Sequence, residues 1–360
     1  MKRFCVVSFC NIYVLPYAKL YIDSIIRSGN SCTLLFWDRD SVNGDNDKFE
    51  NCSKIVYQKK IKSNSSKLTK FFGYLRSTAF FKKELKRGSY DGIVFLQTHS
   101  AVFCQKVLCK HYPFKYVIDI RDFTLENYSL YRKSEAKVIK KAYRCVISSP
   151  AYSSFLPESD YVVAHNFVEF PKGSIDKIRN NAFVKPIKIS FIGTVRFLEM
   201  DKKILTIFKN DERFQINYYG TGSDYLKKYC EDNDIRNADF HGSFSPADTA
   251  DFYLKTDIIN NLYGNHSPFL DYALSNKLYH SGQFYKPILV CPNTFMEEVS
   301  KQYKMGFVFD VENPDKEALY NWFIDFNRKE FEQGCDAFIQ KVKNEIQDFY
   351  TFIDNVIEEV

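Results

Sequence analysis

No uninterrupted apolar run in this chain approaches the roughly 18 residues that cross a bilayer as a helix, so no membrane-spanning segment is expected. The opening stretch, "MKRFCVVSFCNIYVLPYAKL", is basic and then apolar, but Asn11, Pro16 and Lys19 interrupt it and no small-residue cleavage pattern follows. It reads as a first strand rather than a secretion signal. The ten cysteines, at 5, 10, 32, 52, 104, 109, 145, 230, 291 and 335, contain no CxxC pair, which argues against a zinc site and for a reduced, cytoplasmic protein. Internal repeats, low-complexity tracts and recognised nucleic-acid motifs are also missing, and a net charge of +6 is too mild to imply a nucleic-acid partner.

What remains is length and alternation. A chain of 360 residues exceeds one ordinary core and fits two domains of about 100–200 residues each. Short β-branched or aromatic runs recur with helix-length segments between them: "RFCVVSF", "SCTLLFW", "KIVYQ", "GIVFLQ", "KYVIDI", "RCVISS" and "YVVAH". After "FVEFPKGSIDKIRNNAFVKP" a second series follows: "IKISFIG", "FQINYYG", "ADFHG", "DIINNLY", "KPILVC" and "GFVFD". Strands alternating with helices predict two parallel sheets covered on both faces, hence an α/β fold. The expected spans are a first domain over 1–168, a linker over 169–185 and a second domain over 186–315. A helical segment over 316–360, with Leu319, Trp322, Phe323 and Phe326 at helix spacing, is expected to return to the first domain.

One region departs in charge. Residues 59–88 carry ten Lys or Arg against the single acid Glu84, interleaved with Phe71, Phe72, Tyr74, Leu75, Phe80, Phe81 and Leu85. Three readings stand: a solvated helix whose aromatics face the core, a helix resting on anionic lipid, or a nucleic-acid face, the last disfavoured because no nucleic-acid motif accompanies the charge.

In an open parallel sheet, ligands sit beyond the carboxyl ends of the strands, where loops meet helix N-termini. Gly193 follows "KISFI", with Arg196 close to the next helix start; Gly220 and Gly222 follow "QINYY" and permit close backbone approach. The segment "SNKLYH" opens a helix with Ser275 as N-cap and puts a cation, Lys277, in the first turn, where acids are normally preferred. A cation there wants an anion. Exposed amides, Lys277 and Arg196 together would hold a diphosphate. The aspartate triplets at 38–40, 45–47 and 232–234 fall outside these loops and read as solvated turns, so no metal site is expected.

The stretches "KISFIGTVR", "YYGTGSDYLKKYC", "ADFHGSFSPADTADFYLKTDIINNLY" and above all "SNKLYHSGQFYKPILV" resemble the carboxyl half of bacterial GT-B glycosyltransferases of family 4, which serve capsule, O-antigen or exopolysaccharide assembly. The resemblance implies two Rossmann-like domains facing across a cleft, the first binding acceptor and the second a nucleotide-sugar. It also implies roles. Asn276 and Lys277 match the family's motif, Lys277 in the diphosphate role beside the N-cap Ser275, while His280 and Tyr272 stand where the family usually has glutamates, His280 at the ribose contact. In "YVIDIRDFTLENYSLY" the family's His-Asp becomes Arg121 and Asp122, which makes Asp122 a candidate base or orienting group unless it only caps a helix. His99, after the fourth strand, is a second catalytic candidate or a core histidine, and His165 with Asn166 are candidates to line the cleft.

The expected activity is transfer of a sugar from a UDP- or GDP-sugar to a glycan, free or polyprenyl-diphosphate-linked. It would proceed without metal or other cofactor and with retention, on the cytoplasmic face of the membrane held through residues 59–88. A nucleotide-sugar 2-epimerase and a non-catalytic glycan-binding partner are the alternatives.

Overall fold

Short apolar runs hidden on both faces are what a parallel sheet under two helical layers requires, and the computed structural model builds two such sheets. It describes residues 1–39, 49–61, 65–179 and 183–360. The chain divides into two units, Met1–Asn166 together with Glu345–Val360, and Phe167–Asn344.

The first unit holds β1 (Arg3–Ser8), β2 (Ser31–Asp38), β3 (Ser53–Gln58), β4 (Gly92–Phe95), β5 (Tyr116–Ile120), β6 (Arg144–Ile147) and β7 (Tyr161–Val163). They lie in the order β3-β2-β1-β4-β5-β6-β7, and every registered pair is parallel. Its helices are α1 (Ala18–Arg27), α2 (Lys67–Gly88), α3 (Thr98–Phe103), α4 (Gln105–His111) and α5 (Ser129–Lys141).

The second unit repeats the plan. After α6 (Lys172–Arg179) come β8 (Ile187–Ile192), α7 (Leu198–Ile207), β9 (Phe214–Tyr219), α8 (Asp224–Asp232), β10 (Ala238–Phe240), α9 (Thr249–Leu254), β11 (Ile258–Asn260), α10 (Pro268–Asp271), α11 (Asn276–Phe284), β12 (Ile288–Val290), α12 (Phe295–Gln302) and β13 (Gly306–Val308). The order β10-β9-β8-β11-β12-β13 reverses direction between β8 and β11, the position where open α/β sheets bind ligands.

The terminal segment differs from its expected placement. Helix α13 (Lys316–Ile324) and the first half of α14 (Arg328–Glu359) belong to the second unit, and only 345–360 join the first. Leu319 sits fully buried in the second core with Tyr320, Trp322 and Phe323 packed on it, whereas Phe349, Phe352, Ile353, Val356 and Ile357 enter the first core. Helical spacing marks an apolar face without saying which core receives it. Gly334 lets α14 press on the end of α12, since a Cβ there would overlap the Tyr303 carbonyl. His165, read as a cleft residue, is buried and pairs at 2.8 Å with Glu345 of the returning helix, and Asn166 accepts from Arg121 at 2.8 Å.

Helix α2, in the basic stretch, carries both a buried line and an exposed apolar side. Gly73, Ser77, Phe81 and Leu85, each four residues apart, form its buried line. Leu68, Phe71, Phe72 and Leu75 are all more than half exposed. Lys62 lies outside the described residues, as do Asp40, the triplet at 45–47 and residues 180–182 of the expected linker. Among the described residues no helix is long and apolar enough to cross a membrane.

Candidate functional site

The second unit's site is built where β8, β9 and β11 end. Past Ile192 the chain turns at Gly193 with φ +140°, and past Tyr219 it turns at Gly220 with φ +139°. The two loops run side by side: the Gly193 amide donates to Tyr219 at 2.8 Å and the Val195 amide to Thr221 at 2.9 Å. A Cβ on Gly220 would overlap the Gly193 carbonyl, so sterics and a positive φ both demand glycine there. Gly222, at φ +91°, rests against Val195. Gly193 is different. A Cβ on it would meet only the Lys277 ammonium, at 3.8 Å, so its bare face opens toward that cation.

Lys277 is delivered by α11. Ser275 is extended, and its Oγ accepts the Lys277 amide at 3.2 Å, which makes it the N-cap expected from sequence. Asn276 is exposed at the first helical position. The Lys277 residue is only 5% exposed. Its ammonium donates to the Tyr263 hydroxyl and lies 4.1 Å from the centre of the Phe191 ring and 4.7 Å from that of Tyr263, so ring faces take part of the solvating role of water. It forms no ion pair among the described residues. An acid whose field reaches it is Asp201 of α7, buried and accepting from Tyr218 at 3.0 Å. Burial pushes the Asp201 carboxyl up to about 6, against the pull of the Tyr218 hydrogen bond and the Lys277 charge.

Tyr263, Phe191 and Asp201 were not singled out from sequence. Tyr263 lies just beyond β11 and Asp201 in the first turn of α7, where an acid is ordinary. Only the fold brings them to Lys277.

The other donor-side candidates are placed less centrally. Arg196 is exposed in the loop before α7 and makes no ion pair among the described residues. His280 shares a hydrogen bond of 2.7 Å with the Tyr253 hydroxyl and packs its ring against Phe170 and Phe284. Burial, then the Lys277 charge, lowers its imidazole to about 4, so it is neutral at pH 7. Tyr272 ends the short helix α10, half-buried.

In the first unit, Asp122 is exposed just past β5 while Arg121 turns inward. The Arg121 fork holds Asp119 at 2.6 and 2.8 Å, donates to the Ala164 carbonyl at 2.9 Å and covers the Tyr17 ring at 4.4 Å. It thereby fixes the strand end that carries Asp122. His99 opens α3 within a nest of Phe9, Tyr74 and Phe103, with ring centres 6.0, 6.2 and 6.0 Å away. Burial, aided by the Arg39 charge, lowers it to about 4, the behaviour of a core histidine. The triplet at 232–234 is a turn at the end of α8, with Asp234 paired to Arg236 at 2.9 Å. Among the described residues no three His, Cys, Asp or Glu side chains converge as a metal site.

The loop after β5 also contains a buried acid pair. Glu126 accepts from the Thr124 amide, and Glu135 of α5 lies fully buried beside the Glu126 carboxyl. Burial, then the Glu126 charge, pushes Glu135 up to about 8.

No protein-family model and no curated protein sequence matches the chain. Solved structures do. Sucrose-phosphate synthase from Thermosynechococcus elongatus aligns with a TM-score of 0.70 at 10% identity, over 100% of this chain and 98% of that one. HepE from Anabaena, in complex with UDP, aligns with a TM-score of 0.66 at 12% identity, over 99% and 100%. The lipopolysaccharide outer core galactosyltransferase WaaB aligns with a TM-score of 0.60 at 15% identity, over 99% and 94%. The chain shares their two-domain, Rossmann-like GT-B fold, as the sequence led us to expect.

The acid pair predicts a pH dependence. The folded state keeps Glu135 protonated up to about pH 8, whereas the unfolded chain releases that proton near the ordinary value of 4.5. Stability therefore declines as pH rises through that window and levels off above it. Thermal unfolding at pH 5 and pH 8.5 should show Glu135→Gln gaining about 2–4 kcal/mol on the wild type between the two. An unchanged difference would mean that Glu135 is ionised in the folded protein.

Proposed function

We propose that this chain is a glycosyltransferase that moves a sugar from a UDP- or GDP-linked donor to a glycan acceptor. The observation that carries the proposal is Lys277: a buried ammonium at a helix N-terminus, held by a phenol and two ring faces and touching no carboxylate among the described residues. A buried cation without a counter-ion is costly, and a helix N-terminus adds positive potential rather than relieving it. A diphosphate entering beside the bare face of Gly193 relieves both at once.

In this reading the departing nucleotide diphosphate is stabilised by Lys277, the first amides of α11 and Arg196, so the sugar carbon gains oxocarbenium character as the acceptor attacks. Two cations and a helix N-terminus supply the positive charge that a metal would otherwise bring. Gly220 and Gly222 let the nucleotide approach the backbone, and His280, as a neutral imidazole, offers a hydrogen bond to a ribose hydroxyl, with Tyr272 nearby in sequence. The first unit is proposed to bind the acceptor, with Asp122 its basic or orienting carboxylate; His99, neutral and enclosed, is the weaker candidate. HepE, of the same fold, has been crystallised with UDP. We further infer retention at the anomeric carbon, as in the family the sequence resembles.

The membrane reading rests on α2. At about 3.6 residues per turn, Leu68, Phe71, Phe72 and Leu75 share one side of the helix with Lys82, Lys83, Lys86 and Arg87, opposite the buried line from Gly73 to Leu85. An apolar patch followed by a cationic one on the same outward side suits an anionic lipid surface on the cytoplasmic side. A polyprenyl-diphosphate-linked glycan is then the proposed acceptor, and surface polysaccharide assembly the process.

Two measurements check these statements. In a thermal-shift or calorimetric titration with UDP, GDP, CMP and ADP, one of the first two should stabilise the wild type, and Lys277→Ala should lose about 10- to 100-fold in affinity, the worth of one charge-assisted hydrogen bond. Equal binding by the variant would remove Lys277 from the site. At about 1 kcal/mol per cation, neutralising Lys82, Lys83, Lys86 and Arg87 together should weaken co-sedimentation with phosphatidylserine vesicles by about 100-fold or more. Unchanged sedimentation would refute the membrane reading and leave donor binding intact.

A further inference from the structure

Two cysteines at the edge of the first sheet lie outside everything described above. Parallel pairing of β2 with β3 begins at Thr33 opposite Ser53. One position before that pair stand Cys32, the second residue of β2, and Cys52, the residue that leads into β3. Neighbouring strands run about 4.8 Å apart and a disulfide requires its two Cα atoms roughly 4.4–6.8 Å apart, so residues next to a registered pair lie near that range, and the two thiols share a hydrogen bond. Both side chains pack against the same core cluster, so both point to one side of the sheet.

The two thiols differ in access. Cys32 is 3% exposed, while Cys52 is half-buried and borders a cavity of about 370 Å³ whose apolar wall of Ile22, Ile26 and Phe49 is rimmed by Lys19, Asp23, Arg27, Glu50 and Asn51. That volume suits a small molecule and is too small for a protein chain, and its mixture of cations and carboxylates suits a zwitterion.

We propose that Cys32 and Cys52 form a redox-active dithiol, oxidised to an intrachain disulfide by a small disulfide of the glutathione class that enters at the cavity beside Cys52. Cys52 is the attacking thiol. Its hydrogen bond with the Cys32 thiol holds it below the ordinary thiol value, against burial and the Asp23 charge, while Cys32 is raised by the same contact and by burial. The Cys52 thiolate attacks one sulfur of glutathione disulfide, breaking that bond and releasing one glutathione thiolate, which takes a proton. The Cys32 sulfur then attacks the Cys52 sulfur of the mixed disulfide, gives up its proton and releases the second glutathione. Two protein thiols are oxidised and one glutathione disulfide is reduced to two thiols, with no other reactant. The product ties the start of edge strand β3 to β2, and the proposal stands apart from the donor-binding reading.

The test is to equilibrate the full-length protein with graded ratios of oxidised to reduced glutathione, quench in acid, alkylate free thiols and map peptides without reduction. The proposal predicts that a cross-linked Cys32–Cys52 peptide appears before any other cysteine is modified, including the half-buried Cys10 and Cys109, and that reductant reverses it. In Cys32→Ser the reaction should stop at a glutathione adduct on Cys52. Three results overturn it: both thiols remaining alkylatable at the most oxidising ratio, Cys10 or Cys109 reacting first, or a glutathione adduct on wild-type Cys52 that never closes to the disulfide. Because the wild-type map decides the matter, a variant that folds poorly does not obscure the answer.

Discussion

A buried ammonium with no carboxylate in contact among the described residues is the constraint around which the second unit's ligand end is arranged. An isolated charge out of water is tolerated only when something replaces its hydration. Here the Tyr263 hydroxyl and the faces of Phe191 and Tyr263 do so in part, and Asp201 acts from a distance through its field. That arrangement holds the lysine in place without neutralising it. A salt bridge in the same place would have made a stable core and a poor anion site.

The surrounding backbone serves that lysine. The loops after β8 and β9 can pair only because Gly220 has no side chain, and the loop after β8 presents its open face to the ammonium through a turn whose φ of +140° at Gly193 favours glycine. The sheet's change of direction between β8 and β11 sets the two sides of this opening, and Ser275 sets the angle at which α11 enters it. Local turn chemistry, sheet order and a single charge therefore converge on one place at the carboxyl end of the second sheet.

The strands were legible to a degree the site was not. Each of the thirteen quoted runs, from "RFCVVSF" to "GFVFD", overlaps an observed strand, and in the central strands such as β1, β4, β5 and β8 the reason is that a strand buried on both faces must be continuously apolar over a few residues. The N-cap at Ser275 and the turns at Gly193, Gly220 and Gly222 were legible for the same local reason. What could not be read were relations between distant residues. Tyr263 meets Lys277, and Asp201 comes within the range of its field, only through the fold, and nothing local separates His280 bonded to Tyr253 from His280 free to meet a ligand. The apolar face of residues 319–323 was visible, but its destination depended on a core assembled elsewhere. Helix α2 shows the limit in another form. Its narrow buried line and its apolar outer side both obey helical spacing, and only the placement of Gly73 against Ile61 and Trp37 says which is which.

The central claim is that the Lys277 ammonium awaits a diphosphate, and a crystal structure of the protein soaked with UDP tests it most directly. The account predicts a β-phosphate oxygen within hydrogen-bond distance of Lys277 Nζ and of the first amides of α11, beside the bare face of Gly193. UDP bound with its diphosphate away from Lys277, or Lys277 still donating to Tyr263 with no phosphate in reach at saturating UDP, would contradict it.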